Sequence, residues 1–191
     1  MTSTPDTDAE RPDDSGPPHE GPVAEGLAAG NLVVEIADRS VEVSMVGGSD
    51  WTLPVGPLSL VNEQLERADR PAPEQLTNAL GIVIDHLDDV LRESPIVRAA
   101  EHVVFTGRHA TTMAAVELGA DTVPAGYMLQ RSDADEVFRT LVAETSDERA
   151  HNPGLPPEAI DSIIGTCCVV LAVMRSLELD SAAIAPAAGG A

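Results

Sequence analysis

Residues 31–48, "NLVVEIADRSVEVSMVGG", decide the fold. Val34 and Ile36, then Val41, Val43 and Met45, recur at every second position, which is the period of a half-buried strand. The stretch therefore reads as two short strands joined by a tight turn. That turn is Ala37-Asp38-Arg39 and contains no glycine. A hairpin turn that cradles a phosphate is normally glycine, because backbone N–H groups must come close to the anion. Here a carboxylate stands in the turn.

Downstream, "DWTLPVG" gives a third strand, so that strands are expected over about 32–37, 40–46 and 50–55. A helix follows near Leu58–Glu66. Pro73 opens a long helix in which Leu76, Leu80, Val83, Ile84, Leu87, Val90 and Leu91 keep the 3.6-residue period. "HVVFTG" is a buried strand whose Gly107 opens a short helix carrying Ala110, Met113, Ala114 and Leu118. "GYMLQ" is a fifth strand, and Ser132 is expected to cap a helix through Val142, with Asp135 completing a short capping box. After Pro157 comes a helix apolar nearly all round, with Ile160, Ile163, Ile164, Cys167, Leu171 and Met174 on its main face. The class is α/β. The order matches the ribonuclease-H-like half of an actin-type (ASKHA) fold, a five-stranded mixed sheet with flanking helices plus C-terminal helices. In that architecture Ala37–Arg39 and Gly107–His109 lie side by side at one edge.

The 191 residues suffice for one domain with a real core, and 43% of them are apolar. Thirty-two acidic residues face 11 basic ones, a formal charge of -21, and every basic residue is arginine. Nucleic acid polymers and anionic membranes need a basic footprint and are excluded as expected partners. The arginine-only, alanine-rich usage fits a GC-rich genome, and the acidity alone would fit a salt-adapted cell. No signal peptide is visible, and Ile163–Met174 is too short to span a membrane, so a cytoplasmic protein is expected. Cys167 and Cys168 are adjacent rather than spaced as C-x-x-C, which reads as buried thiols. Residues 1–29 form an acidic tail of low hydrophobicity, the domain is placed at 30–180, and 181–191 are placed in a second disordered tail.

Four segments occur in order: Val33-Val34-Glu35-Ile36-Ala37-Asp38-Arg39-Ser40-Val41-Glu42-Val43, then "LPVGPLSL", then "TGRHATTMAA", then "ERAHNPGLPPEAIDSIIGTCCVVLAVM". Together they resemble the second domain of the Ppx/GppA family, the exopolyphosphatases and guanosine pentaphosphate phosphohydrolases, over about residues 31–180. The resemblance implies a phosphate loop at V-I-D-I-G-G-G-S-T-E-L, which departs here at several positions. Ala-Asp-Arg replaces the glycines, Glu35 replaces the aspartate, Arg108 and His109 replace Gly and Thr, and Ala159 replaces an arginine. The family's first domain and its C-terminal G-L-R-E-G motif have no counterpart in this sequence. Phosphoryl transfer rests on positioning and charge stabilisation from both walls of a cleft. Two like charges 4 Å apart repel by about 1 kcal/mol in water and about 4 near a protein surface.

The expectation is a catalytically degenerate, stand-alone relative that acts by binding or regulation, with no catalytic residue, no metal and no cofactor. Its vestigial phosphate-loop positions are Glu35, Ala37, Asp38, Arg39, Ser40 and Glu42. The second cleft loop is Gly107, Arg108, His109 and Thr111. Two alternatives stay open. One is a minimal Mg²⁺-dependent phosphatase on polyphosphate or guanosine pentaphosphate, its site rebuilt around Arg39, Arg108, Glu35 and Glu42, the last two as a carboxylate pair. The other is a nucleotide or phosphate sensor using Arg39, Arg108 and His109 as an anion pocket. His86 within "DHLDD" belongs to a solvated acidic face, and Thr106, Thr111 and Thr112 read as helix-start threonines. A protein partner or a second copy is expected on the former interdomain face, and a phosphate-containing ligand remains open.

Overall fold

A computed structural model describes residues 30–185. β1 (Leu32–Ile36) pairs antiparallel with β2 (Val41–Met45), which pairs antiparallel with β3 (Asp50–Leu53). On its other side β1 runs parallel to β4 (Val103–Thr106), with Leu32 opposite Val103 and Val34 opposite Phe105. The alternation in the quoted stretch therefore serves a central hairpin. Val34, Ile36, Val41 and Val43 are buried while Glu35 and Glu42 are exposed. β4 is buried along its whole length, as expected of a strand covered on both faces.

Among the described residues the sheet has six strands, not five. Ser181–Ile184 form β6, parallel to β4, and the short β5 (Met128–Gln130) pairs antiparallel with β6 at the outer edge, giving the order β3-β2-β1-β4-β6-β5. The domain boundary expected at Asp180 therefore moves. Ala182 and Ile184 are core residues, and Ala185 N–H donates to the Phe105 carbonyl. The tails at 1–29 and 186–191 lie outside the described residues.

Around the sheet lie α1 (Pro57–Glu63), α2 (Pro73–Glu93), α3 (Gly107–Leu118), α4 (Arg131–Ala143), the single turn α5 (Ser146–Arg149) and α6 (Ile163–Ser176). Every residue of α6 from Ile163 to Met174 is buried, because α1, α2, α3 and α4 all pack on it. At its crossing with α1, a Cβ on Gly165 would collide with the Pro57 carbonyl oxygen. Two helix starts differ from the sequence expectation. α4 begins at Arg131 after Gln130, and the Ser132 hydroxyl bonds Asp133 instead of capping. Pro157–Ala159 form only a 3₁₀ turn, and the α-helix starts at Ile163. α1 likewise ends at Glu63, short of the expected Glu66.

Candidate functional site

The β1–β2 turn and the start of α3 meet at one edge of the sheet. Gly107 takes φ +89, and a Cβ there would lie 2.8 Å from the Ile36 carbonyl oxygen, so only glycine lets β4 turn into α3 against the end of β1. The turn itself is braced from behind. Ala37 N–H donates to the Ser40 carbonyl at 3.1 Å, Leu58 N–H to the Asp38 carbonyl at 2.8 Å, and the Ser59 hydroxyl to the Arg39 carbonyl at 3.4 Å. Gly56 lies so close that its Cβ would stand 2.6 Å from Ser40 N.

On this frame the side chains of Asp38, Arg108 and His109 converge. Arg108 Nη2 donates to Asp38 Oδ1, and His109 Nε2 lies 2.8 Å from the same oxygen. His109 is only 2% exposed, and its Nδ1 lies 3.0 Å from Thr166 Oγ1 on α6. Because an ionised carboxylate only accepts, the proton belongs on Nε2 and the Thr166 hydroxyl donates to Nδ1. The Ser162 carbonyl, also 3.2 Å from that hydroxyl, is already satisfied by Thr166 N–H at 2.9 Å. Burial pushes the His109 pKa down, against the smaller pull of its bond to Asp38, so a neutral imidazole fits this chain of bonds. The bonds from His109 and Arg108 hold the Asp38 carboxyl below its usual range.

Asp–His–Thr is the connectivity of a hydrolytic triad, but Thr166 is fully buried and faces no substrate. The arrangement instead pins a loop: one carboxylate ties the hairpin turn to α3 and, through His109, to α6. Of the other expected positions, Glu35 and Glu42 are directly opposed on β1 and β2, and both are exposed. No third ligand joins them, since no group of three His, Cys, Asp or Glu residues among the described ones is placed to hold a metal. Mg²⁺ is commonly held by one or two carboxylates together with waters and substrate phosphates, and Glu35 and Glu42 are the opposed carboxylates on this edge. Arg39 is exposed and makes no ion pair among the described residues. The Thr111 hydroxyl donates back to the Gly107 carbonyl within its own helix. Thr106 Oγ1 is buried without a partner among the described residues, beside Glu35 in the facing register position. Cys167 and Cys168 are free and buried, and burial pushes both thiols up, Cys168 to about 12, so neither is a ready nucleophile.

Two organising residues escaped the sequence reading. Thr166 is 57 residues from His109, and nothing local marks it. Arg149, 3% exposed, donates from Nη1 to the carbonyls of Asp69, Leu141 and Glu144 and from Nη2 to Ser146 Oγ, knotting the end of α4 to the loop before α2. In sequence it is the arginine of the Glu-Arg pair that opens the fourth family-like segment, directly behind the Thr145/Glu148 capping box that starts α5, and neither signal announces its role.

The fold has solved counterparts. An exopolyphosphatase-like protein superposes with TM-score 0.75 at 22% identity over 85% of this chain and 57% of its own. The Ppx/GppA enzyme of Aquifex aeolicus gives 0.75 at 20% over 86% and 56%, and an exopolyphosphatase from Cytophaga hutchinsonii gives 0.69 at 15% over 82% and 53%. The chain has the actin-like fold of one part of a Ppx/GppA structure. It spans a little over half the length of these proteins. No family model and no curated protein matches the sequence. No helix among the described residues is long and apolar enough to cross a membrane.

Proposed function

We propose that this chain is a catalytically degenerate relative of the Ppx/GppA phosphatases that acts by binding or regulation. The observation that carries the reading is the Asp38 carboxylate, held by Arg108 and by buried His109 at the hairpin turn. An anion of the chain's own fills the place where an incoming phosphate would need donors, and it consumes the nearest two. Gly56 packs against the back of the turn, where a Cβ would collide with Ser40 N and the Ala37 carbonyl oxygen. A protein partner or a second copy is the occupant assigned to the face that meets the neighbouring domain in the longer Ppx/GppA proteins, which light scattering over a concentration series would read.

Activity is tested by mixing the protein with Mg²⁺ and polyphosphate, ATP or guanosine pentaphosphate while following released phosphate and heat. The expected result is no release above background and no binding heat. Mg²⁺-dependent release that disappears in Glu35→Gln would overturn the reading in favour of a minimal phosphatase. Binding heat without release, lost in Arg39→Ala, would replace it with a sensor.

A further inference from the structure

Away from the turn, a cavity of about 240 Å³ opens between α1, the loop before α2, α5 and the start of α6. One wall is apolar, from Val61, Leu65 and Ile164. The polar side carries Arg67, Arg149 and Asp161. Arg149 is almost wholly buried, and its Nε, itself closed to solvent, has no acceptor among the described residues. Arg67 spends its Nε on Asn62 Oδ1 at 2.7 Å and makes no ion pair among the described residues, which leaves its terminal amino groups for another acceptor. The rim is also strained. Glu66 and Arg67 hold consecutive left-handed conformations, with φ 50 and 54, that non-glycine residues rarely adopt and that cluster at ligand-binding segments.

We propose that this cavity binds a small apolar α-amino acid as its zwitterion. The Arg67 guanidinium offers donors to a carboxylate with the Arg149 charge behind it, the Asp161 carboxylate accepts from an ammonium, and the apolar wall takes a branched or thioether side chain. The size agrees, because the space is below the roughly 300–1,000 Å³ of drug-sized sites. The charge also selects. Asp161, Asp69 and Glu144 all act on Arg149, so a phosphate dianion meets their repulsion while a zwitterion brings no net charge.

The test uses the full chain with leucine, valine and methionine against three controls: 4-methylpentanoate, which lacks the ammonium, isopentylamine, which lacks the carboxylate, and inorganic phosphate. At ten times Kd, an amino acid that fits should raise Tm by about 3–6 °C. It should also move the Arg149 Nε–H resonance in a ¹⁵N-correlated spectrum, and either control lacking one charge should bind at least about tenfold more weakly. Asp161→Asn, at an exposed position, should lose about tenfold in affinity with an unchanged circular dichroism spectrum. Ala68→Leu, which fills the cavity from its half-buried wall, should abolish binding. No shift with any of the three amino acids overturns the proposal, as does equal binding by a control, stronger binding by phosphate, or binding that survives Ala68→Leu.

Discussion

Asp38 and His109 set the behaviour of the turn at the level of single atoms. His109 carries an acceptor-only carboxylate on one nitrogen and a donating hydroxyl on the other, so its neutral form is fully paired inside the protein. Its pKa lies below the 6.5 of an unfolded histidine because of burial. The unfolded chain therefore takes up a proton first as pH falls. The stability due to neutral His109 is complete above pH 6.5 and is lost downward from there toward the folded pKa. The wild type should lose Tm between pH 7 and 5.5 more steeply than His109→Gln, and parallel slopes would refute the assignment. Asp38→Ala removes the acceptor and strands the Nε2 donor. Since the Asp38 side chain is 46% exposed, the cost should be only about 1 kcal/mol, or about 2–4 °C, while Asp38→Asn keeps a carbonyl acceptor and should cost less. The same Asp38→Ala variant should bind pyrophosphate more tightly than the wild type, because Arg108 is released. Asp38, Arg108 and His109 were legible as a pair of loops from their motif positions. Their mutual bonding was not, because it depends on Thr166 and on α6 packing that no local pattern encodes.

Elements were legible wherever a period repeats over several turns or strands, as in α2 and in the β1–β2 hairpin. α2 buries Ala79, Val83, Leu87, Val90 and Leu91, a continuous stripe at helical spacing. β6 was not legible. Its sequence is Ser-Ala-Ala-Ile, and alanine carries almost no strand preference, so pairing with β4 and β5 alone makes it a strand. Ser132 misled for the opposite reason: a residue with strong local cap preference was overridden when β5 ran directly into α4. Close approach is the other property the sequence hides, and two glycines test it. Gly81 lies within α2 with nothing near a would-be Cβ, so Gly81→Ala should stabilise by up to about 1 kcal/mol through helix propensity. Gly165→Ala places the same methyl against Pro57 at the α1–α6 crossing and should cost about 1–3 kcal/mol by forcing the helices apart. Melting curves that moved the two variants in the same direction would contradict this packing.

At the level of the whole molecule, the charge balance is the property composition states most directly and the fold answers least. Arg70, Arg92, Arg131, Arg139 and Arg175 form ion pairs at exposed or half-exposed sites, where each pair contributes about 0–1 kcal/mol at most. Against them stand 32 carboxylate residues and a net charge of -21, whose mutual repulsion is summed over many pairs and resists compaction. Raising the salt from 0.1 M to 1 M shortens the screening length from about 10 Å to about 3 Å, which weakens the long repulsions far more than the contacts at ion-pair distance. The inner bonds of the turn are shielded in another way, since His109 is buried and Thr166 lies inside α6. Sodium chloride should therefore raise Tm steadily over that range, and the rise should be the same in wild type and Asp38→Asn, because the repulsion belongs to the surface as a whole. A Tm that fell with salt would mean that the exposed arginine pairs outweigh the repulsion. A rise confined to the wild type would mean that the Asp38 carboxylate is itself a principal source of it.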